Sequence, residues 1–377
     1  MRLIGLVFRF GVAVVVGLGA QSANAQFTET NLFSDIPGQA NAVDPNLVNP
    51  WGIVSSSTSP VWVANEGSGV ATLYKGAGNG AVAVPLVVSI PSASVSQGTP
   101  TAVVFNSTNS FLLTNGNGQK ALFLFATKDG QIVGWNGGTT AVAQVLASPS
   151  NVYTGLAEGP SASGDTLYAA NFKSGSINAF SAGFSAIITS SPFIDPNLPA
   201  GYAPFNVENI NGNLYVSFAL QNATKDGPLA GAGNGLIDVF NLNGAFLQRL
   251  VSNGVLNTPW GMAVAPANFG SFGGDLLVGN NGDGTIDAFD PITGMLIGML
   301  KDAQGNPIMV SGLMALAFGN GTSFDSNALL FTGGDGIFGE IQNAETPLPA
   351  ALPLFASGVA LLGFIGWRRK GKVIATA

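Results

Sequence analysis

A phrase of about 50 residues recurs six times along the middle of the chain, and this repeat constrains the fold more than any other feature. The phrase reads Pro-x-Gly with alternating apolar residues, an apolar run ending in Asn, a Gly-rich turn, and Gly-x-Ile-x-x-Phe. It is clearest in residues 50–74 and 259–289. Its equivalent positions are 50, 53, 51, 55 and 52 residues apart and fall on Gly52, Ala102, Gly155, Asn206, Gly261 and Leu313. A period of this length is typical of propeller blades.

Each copy holds about four short apolar runs separated by Gly, Asn or Asp, which is the number of strands in a propeller blade. The composition agrees, because 52 Gly and 21 Pro in 377 residues supply many tight turns. The last copy lacks a fourth run, whereas residues 27–33 alternate suitably before the first copy. We therefore predict an all-β domain over residues 26–345, a six-bladed β-propeller with four-stranded blades. The N-terminal strand completes its last blade and closes two otherwise exposed edges.

The N-terminal end has the pattern of a secretory signal peptide. Arg2 and Arg9 precede an apolar stretch over residues 10–20, and Ala23 and Ala25 form a small-x-small cleavage site. We predict a signal peptide over residues 1–25 and a mature protein that starts at Gln26. The alternative is an uncleaved anchor, for which the apolar stretch is short.

The C-terminal end, residues 346–377, has the pattern of a short transmembrane helix with a cytoplasmic stop. Residues 350–367 form an apolar stretch. It is preceded by Pro347, Leu348 and Pro349 and followed by Arg368, Arg369 and Lys370. The positive-inside rule leaves everything before residue 347 on the outer side. The segment resembles a PEP-CTERM sorting tail, with Leu348 where the namesake motif has Glu. A permanent single-span anchor is the alternative.

The PEP-CTERM resemblance implies a route. It implies export from a Gram-negative bacterium that makes exopolysaccharide, with passage along the outer side of the inner membrane. It also implies processing by an exosortase, and a final place at the cell surface or in the extracellular matrix. The implied partners are the export machinery, this processing enzyme, and exopolysaccharide or matrix proteins.

The repeat itself is similar to NHL-type six-bladed propellers. A closer resemblance is to an uncharacterised bacterial family of exported propeller-like proteins that often bear this tail. It is carried by residues 30–35, 44–52, 171–172, 194–199 and 258–261. This resemblance implies the fold and no activity.

The charge and the missing residue types exclude several functions. Six of the 13 Lys and Arg lie in the two ends, so the chain between them carries seven positive and 20 negative groups. Such a surface repels phosphate backbones, which excludes nucleic acid as a partner. The chain has no His and no Cys. It therefore cannot build a Ser-His-Asp triad, a thiolate site or a typical zinc site.

Polar residues of the loops at one mouth of the propeller form the first candidate site. The candidate ligand-binding residues are Trp51, Asn65, Glu66, Asn171, Trp260, Asn280, Asp283 and Asp335. Their oxygens suit a cation such as Ca²⁺ or the hydroxyls of a sugar, with Trp as a stacking platform. The alternative is structural, because Asn and Asp beside Gly are also what tight hairpin turns require.

Glu158 and Glu208 form the second candidate site, near the ends of the innermost strands of adjacent blades. With Asp283 they are the candidate metal ligands, and the two glutamates are also candidates to share a proton. The favoured function is a non-enzymatic surface or matrix protein that binds polymer or another protein. The alternative is a metal-assisted lyase or hydrolase that acts on a glycan or lactone.

Overall fold

The computed structural model describes residues 26–78, 80–93, 97–188 and 192–344, which form six β-sheets arranged as the blades of a ring. Each blade is an antiparallel sheet of four strands, and the sixth carries one additional short strand. The first strand of each repeat is innermost and contacts the innermost strands of both neighbouring blades. The prediction of an all-β propeller with six four-stranded blades is confirmed.

The strands follow one another from the centre of the ring to its rim in every complete blade. Two strands precede the first repeat: β1 (Phe27–Ser34) and β2 (Ala42–Val43). Blade 1 contains β3 (Pro50–Val54), β4 (Val61–Asn65), β5 (Val70–Ala77) and β6 (Gly80–Ser89). Blade 2 contains β7 (Pro100–Phe105), β8 (Phe123–Thr127), β9 (Ile132–Trp135) and β10 (Val142–Val145). Blade 3 contains β11 (Tyr153–Ser161), β12 (Gly164–Asn171), β13 (Ser176–Ser181) and β14 (Ala186–Ile187).

The second half of the ring repeats this order. Blade 4 contains β15 (Tyr202–Ile210), β16 (Asn213–Leu220), β17 (Gly235–Asn241) and β18 (Phe246–Ser252). Blade 5 contains β19 (Pro259–Val264), a 3₁₀ turn (Gly270–Phe272), β20 (Leu276–Asn280), β21 (Ile286–Phe289) and β22 (Leu296–Met299). Blade 6 contains β23 (Leu313–Phe318), β24 (Leu329–Gly333) and β25 (Ile337–Asn343), and β1 completes it.

The ring closes where the first and last strands pair. β1 runs antiparallel to β25, with Phe27 opposite Asn343 and Ser34 opposite Ile337. The prediction that the N-terminal strand completes the last blade is confirmed. The short β2 adds a parallel pairing on the outside of β1, which the sequence pattern did not predict. The two ends of the described chain also meet, because the amide of Ala344 donates a 2.7 Å hydrogen bond to the carbonyl of Gln26.

All six inner strands shift register near their start. In five of them the shift follows the first paired residue, for example Pro50, Pro100 or Pro259, and in β15 it follows Pro204. Proline suits this place because it has no N–H to contribute to a regular ladder. One alignment made from the sequence needs correction here. Gly52 lies against Ala102, whereas Gly261 lies against residues 314–316, so Ala315 and not Leu313 is the sixth equivalent position.

The hydrophobic core fills the spaces between blades. Five clusters of buried side chains lie each between two neighbouring blades, and a sixth occupies the centre of the ring and the junction of blades 2 and 3. Both faces of the second strand of a blade therefore become buried, as in β4, β8 and β20, which are buried at every position. A fold that buries both faces of every blade needs no disulfide for its stability.

Two predictions concern segments that the structure does not describe. The signal peptide over residues 1–25, with its cleavage site at Ala23 and Ala25, lies outside the described residues. The sorting tail over residues 346–377 also lies outside them. In the part of the chain that is described, no helix combines the length and the apolar character needed to cross a membrane.

Candidate functional site

The two faces of the ring differ at the central channel. We call the end where the six inner strands begin the N-terminal face, and the end where they finish the C-terminal face. Three aromatic residues meet near the N-terminal face. The ring of Trp51 in blade 1 packs edge-on against Phe205 in blade 4 and Trp260 in blade 5, each at 6.1 Å between ring centres. The channel is thus filled at this end.

Both predicted tryptophan platforms belong to this aromatic plug. Trp51 is 5% exposed and Trp260 is 3% exposed, so neither offers a ring face to a sugar. Trp260 Nε1 donates a 2.9 Å hydrogen bond to the carbonyl of Thr154 in blade 3, whereas Trp51 Nε1 is buried without a partner. The stacking interpretation is wrong for these two residues, because meeting across the channel buries them.

Asn65, Asn171 and Asn280 occupy equivalent positions in blades 1, 3 and 5 and hold the hairpin turns in shape. All three are buried. The side-chain amide of each donates to the residue seven positions later, Thr72, Asn178 or Asp287, at 2.8–2.9 Å. The backbone carbonyl of each accepts from the glycine four positions later. These bonds account for the repeated Asn and Gly without a ligand, as the structural alternative predicted.

Glu66, another candidate on the N-terminal face, is also bonded to neighbouring side chains. Glu66 forms an ion pair with Lys128 at 3.4 Å and accepts a 2.7 Å hydrogen bond from Asn49. The Lys128 ammonium lies 5.4 Å from the ring centre of Trp51.

Asp283 and Asp335 complete the account of this face. The carboxylate of Asp283 accepts bonds from Thr285 and Asn257 and so shapes its own turn. Asp335 is exposed in the turn between β24 and β25.

The open part of the channel lies towards the C-terminal face. Three neighbouring cavities lie here, of about 80, 260 and 500 Å³, and the smallest is lined by Trp260. Val54 in blade 1 and Glu208 in blade 4 line all three, so the cavities form one funnel that passes between opposite blades. The funnel is closed at its narrow end by the aromatic plug. The site geometry is therefore that of a blind pocket that opens on the C-terminal face.

Glu158 and Glu208 lie near the ends of the inner strands β11 and β15 and line this pocket. β11 and β15 have nine residues each, and they turn tightly into the next strand at Ser161 and Ile210. The inner strands of the other four blades have only five or six residues. Counted from the equivalent residues Gly155 and Asn206, Glu158 is three positions along its strand and Glu208 is two, where blade 1 has Ser55 and Val54. Both glutamates line the outer cavity of the funnel.

The carboxyl group of Glu158 is half-buried and poorly satisfied. Its Oε1 is 3.5 Å from the Ser107 hydroxyl, and its Oε2 is inaccessible to solvent and has no hydrogen-bond partner. Burial, together with the nearby negative charge of Asp165, raises the pKa of Glu158 to about 7. A carboxyl group in this state exchanges its proton near neutral pH.

Glu208 owes its altered acidity to burial. Its Oε1 accepts a 3.3 Å hydrogen bond from the amide of Asn206, which opposes the effect of burial, and its pKa is still raised to about 7. Burial is thus the main cause for both glutamates, and the charge of Asp165 adds to it for Glu158.

The three candidate metal ligands do not come together. Asp283 lies in the turn after β20, at the N-terminal face, whereas both glutamates line the funnel. Over the described ranges, no three Asp, Glu, His or Cys side chains form a group able to hold a metal ion.

Two funnel residues were missed by the sequence analysis. Asp165 lies in β12, opposite Pro160, and accepts a 2.6 Å hydrogen bond from the Ser110 hydroxyl. Asn209 follows Glu208 and donates a 2.7 Å bond to the backbone carbonyl of Glu158, which joins blades 3 and 4 beside the pocket. The sequence carried one signal for Asp165, namely the tight hairpin after β11, which places Asp165 close to Glu158.

Comparison with known proteins finds relatives whose similarity extends over most of this chain. The uncharacterised protein R648 of Acanthamoeba polyphaga mimivirus is 35% identical over 300 residues, which cover 76% of this chain and 72% of R648. The uncharacterised protein L690 of the same virus is 33% identical over 315 residues, which cover 79% of this chain and 80% of L690. No family model matches the chain.

Solved structures with low sequence identity share the fold. A protein of unknown function from Bacteroides thetaiotaomicron superposes with a TM-score of 0.53 at 10% identity, over 85% of this chain and 76% of that chain. A streptogramin B lyase superposes with a TM-score of 0.50 at 13% identity, over 85% of this chain and 98% of the lyase chain. At these identities the likeness concerns the propeller fold alone.

Proposed function

The chain belongs to the family that includes the mimivirus proteins R648 and L690, and within this family we propose that it is an exported, non-enzymatic propeller. It binds a hydroxyl-rich polymer, such as an extracellular polysaccharide, in the funnel on its C-terminal face. The observation that carries this proposal is the blind funnel itself. A concave site with a few polar groups placed among apolar ones is the usual form of a ligand pocket.

The lining of the funnel suits a sugar. Hydroxyl groups of Ser55, Ser107 and Thr108 and the carboxyl groups of Glu158 and Glu208 surround its wide part. Val54, Val104 and Phe105 provide apolar surface between them. Sugar rings present hydroxyls at their edges and C–H groups on their faces, so this mixture of groups matches both. The outer cavity, at about 500 Å³, has the size typical of small-ligand sites.

Blocking the funnel tests the proposal. Ser107 is exposed at the funnel, and Ser174 is an exposed serine in the turn between β12 and β13, at the N-terminal face. We expect the purified full chain to bind oligosaccharides on a glycan array and in calorimetry, Ser107→Trp to lose that binding, and Ser174→Trp to keep it. The opposite pattern, with binding lost only in Ser174→Trp, would place the site on the other face and defeat the proposal.

Export is the second part of the proposal and rests on the sequence of the two ends. The pattern over residues 1–25 supports secretion, and the PEP-CTERM-like pattern over residues 346–377 supports sorting by an exosortase to the cell surface or matrix. Cell fractionation with sequencing of the mature N-terminus tests it. We expect the extracellular or surface form to begin at Gln26, whereas an intact N-terminus in the cytoplasmic fraction would contradict export.

Acid–base catalysis on a glycan or lactone is a second candidate, favoured by one observation. Glu158 and Glu208 line the same cavity and both have a pKa raised to about 7, which suits groups that donate or accept protons near neutral pH. Turnover of a glycan by the full chain, lost in both Glu158→Gln and Glu208→Gln, would establish this activity. Binding without turnover favours the first proposal.

A further inference from the structure

The charges inside the funnel are unbalanced. Glu158, Asp165 and Glu208 all line its outer cavity. The ion pairs of the described residues join Glu66 to Lys128, and Arg249 to Asp195 and Asp238, so none of them involves a funnel carboxyl group. The nearby cation, Lys120, donates a 2.7 Å hydrogen bond to the carbonyl of Thr108. Its charge has the smallest effect on the pKa of Glu158, which it lowers, so the three funnel acids have no ion-pair partner among the described residues.

The two funnel glutamates accept few hydrogen bonds from other side chains. Glu158 Oε2 is buried without a partner, and Glu208 accepts one long bond, from Asn206. Glu158 Oε1 has a long contact, 3.5 Å, with the Ser107 hydroxyl, so a stronger donor can take the place of that hydroxyl. A carboxyl group with so few hydrogen bonds in a partly buried site is costly, and a ligand that brings donors lowers this cost. Neutral hydroxyls supply weaker bonds than charged donors do.

We propose that the funnel selects a sugar residue that carries a protonated primary amine, whose ammonium group is neutralised by the carboxyl groups of Glu158 and Asp165. This inference rests on the proposed function, since it specifies the polymer that the same pocket binds. An ammonium group brings three donors and a positive charge to the place where both are missing. The net negative charge of the chain between its two ends also favours binding of cationic over anionic polymers.

The raised pKa values agree with this geometry. Burial and Asp165 raise the pKa of Glu158 to about 7, so this carboxyl group is partly protonated near neutral pH when the pocket has no cation. A bound ammonium favours the ionised carboxylate, so binding releases a proton. This release is a consequence that a neutral sugar does not share, and calorimetry in buffers of different ionisation enthalpy detects it.

Calorimetry with matched oligosaccharides tests the inference. The probes are glucosamine oligomers, the same oligomers with every amine acetylated, and spermidine as an amine without a sugar ring. We expect the full chain to bind glucosamine oligomers at least about tenfold more tightly than either other probe, in keeping with a charge-assisted hydrogen bond. Glu158→Gln and Asp165→Asn each weaken this binding by about tenfold. Glu340→Gln, which removes a half-buried carboxyl group of β25 outside the funnel, leaves it unchanged.

The outcomes separate this inference from the proposed function. Equal binding of free and acetylated oligomers would overturn the amine inference and leave a sugar-binding funnel in place. Equal binding of spermidine and glucosamine oligomers would overturn selection of an amino sugar. If none of the sugars binds the full chain in calorimetry or on the array, both proposals fail. If Glu340→Gln weakens binding as much as Glu158→Gln, the effect is one of overall charge and the assignment to the funnel is wrong.

Discussion

The hydroxyl group of Thr332 in β24 donates a 2.5 Å hydrogen bond to the backbone carbonyl of Trp51 in β3, so the last blade is bonded directly to the first. Thr101 makes the same kind of link from blade 2 to the carbonyl of Tyr153 in blade 3, at 2.8 Å. Asn206 makes it from blade 4 to the carbonyl of Trp260 in blade 5, at 2.9 Å. Every second junction between blades is thus fastened by a buried polar side chain near the channel.

Removing the link at the closing junction should weaken the fold. Thr332→Val keeps the shape of the side chain but removes the hydroxyl that donates to the Trp51 carbonyl and accepts a 3.1 Å bond from the amide of Ala315. We expect the free energy of unfolding to fall by about 1–2 kcal/mol. Urea denaturation measures this, with Thr28→Val, an exposed position of β1, as the control that changes stability by less than about 0.5 kcal/mol. Equal effects of the two variants would contradict a special role for Thr332.

The two channel tryptophans should respond differently to the same substitution. Both are buried, but only Trp260 has a hydrogen-bond partner for its indole N–H. Trp260→Phe leaves the Thr154 carbonyl unpaired, whereas Trp51→Phe removes a donor that was already unpaired. We therefore expect Trp260→Phe to cost about 1–3 kcal/mol more than Trp51→Phe. A larger loss for Trp51→Phe in the same denaturation assay would refute this account of the plug.

Close packing of the inner strands makes a further prediction at Gly261. A Cβ there would lie 2.4 Å from the backbone oxygen of Met314, and neither the backbone of β19 nor that of β23 can easily move. We expect Gly261→Ala to lower the free energy of unfolding by about 1–3 kcal/mol, as overpacking does. Gly183→Ala is the matched control, because nothing lies within 4 Å of its added Cβ. Thermal melting that leaves Gly261→Ala as stable as Gly183→Ala would show that the junction of blades 5 and 6 can yield.

The buried acids of the funnel should make stability depend on pH. The pKa of Glu208 is raised by burial from 4.5 to about 7, so the folded protein holds this proton more tightly than the unfolded chain does. The contribution is fully present below about pH 4.5 and is lost as pH rises through about 7. We expect the melting temperature to fall between pH 5 and pH 8, and to fall less in Glu208→Gln. Asp335→Asn, at an exposed turn, should keep the dependence of the unsubstituted protein.

Much of the fold could be predicted from the sequence, because the repeat reflects structure formed by residues that are close together in the chain. The alternating apolar runs and the turns between them lie within one blade, and the missing strand of the last copy pointed to residues 27–33. The offset at Ala315 could not be predicted, because it follows from how backbone atoms of neighbouring inner strands approach each other.

The candidate site was harder to predict, since it depends on which side chains meet across the ring. The sequence identified Glu158 and Glu208, whose strands carry them into the funnel. It did not indicate that Trp51, Phe205 and Trp260, from three different blades, close the opposite end. The Asn residues were misleading for a local reason. Each has a bonding partner seven positions later, a spacing that was present in the sequence and that favours a structural role.

The pairing of β1 with β25 also bears on how the protein is made. The strand that leaves the ribosome among the first must wait for the strands that leave it last, so the ring cannot close on a growing chain. Contacts between residues so far apart in sequence form slowly, because a long loop has to be ordered before they contribute. Until then blade 6 lacks its outer strand, and β25 presents an open edge to any neighbouring chain. Ring closure is therefore the folding step at which a chaperone or a folding catalyst would most reduce association through the open edge of β25.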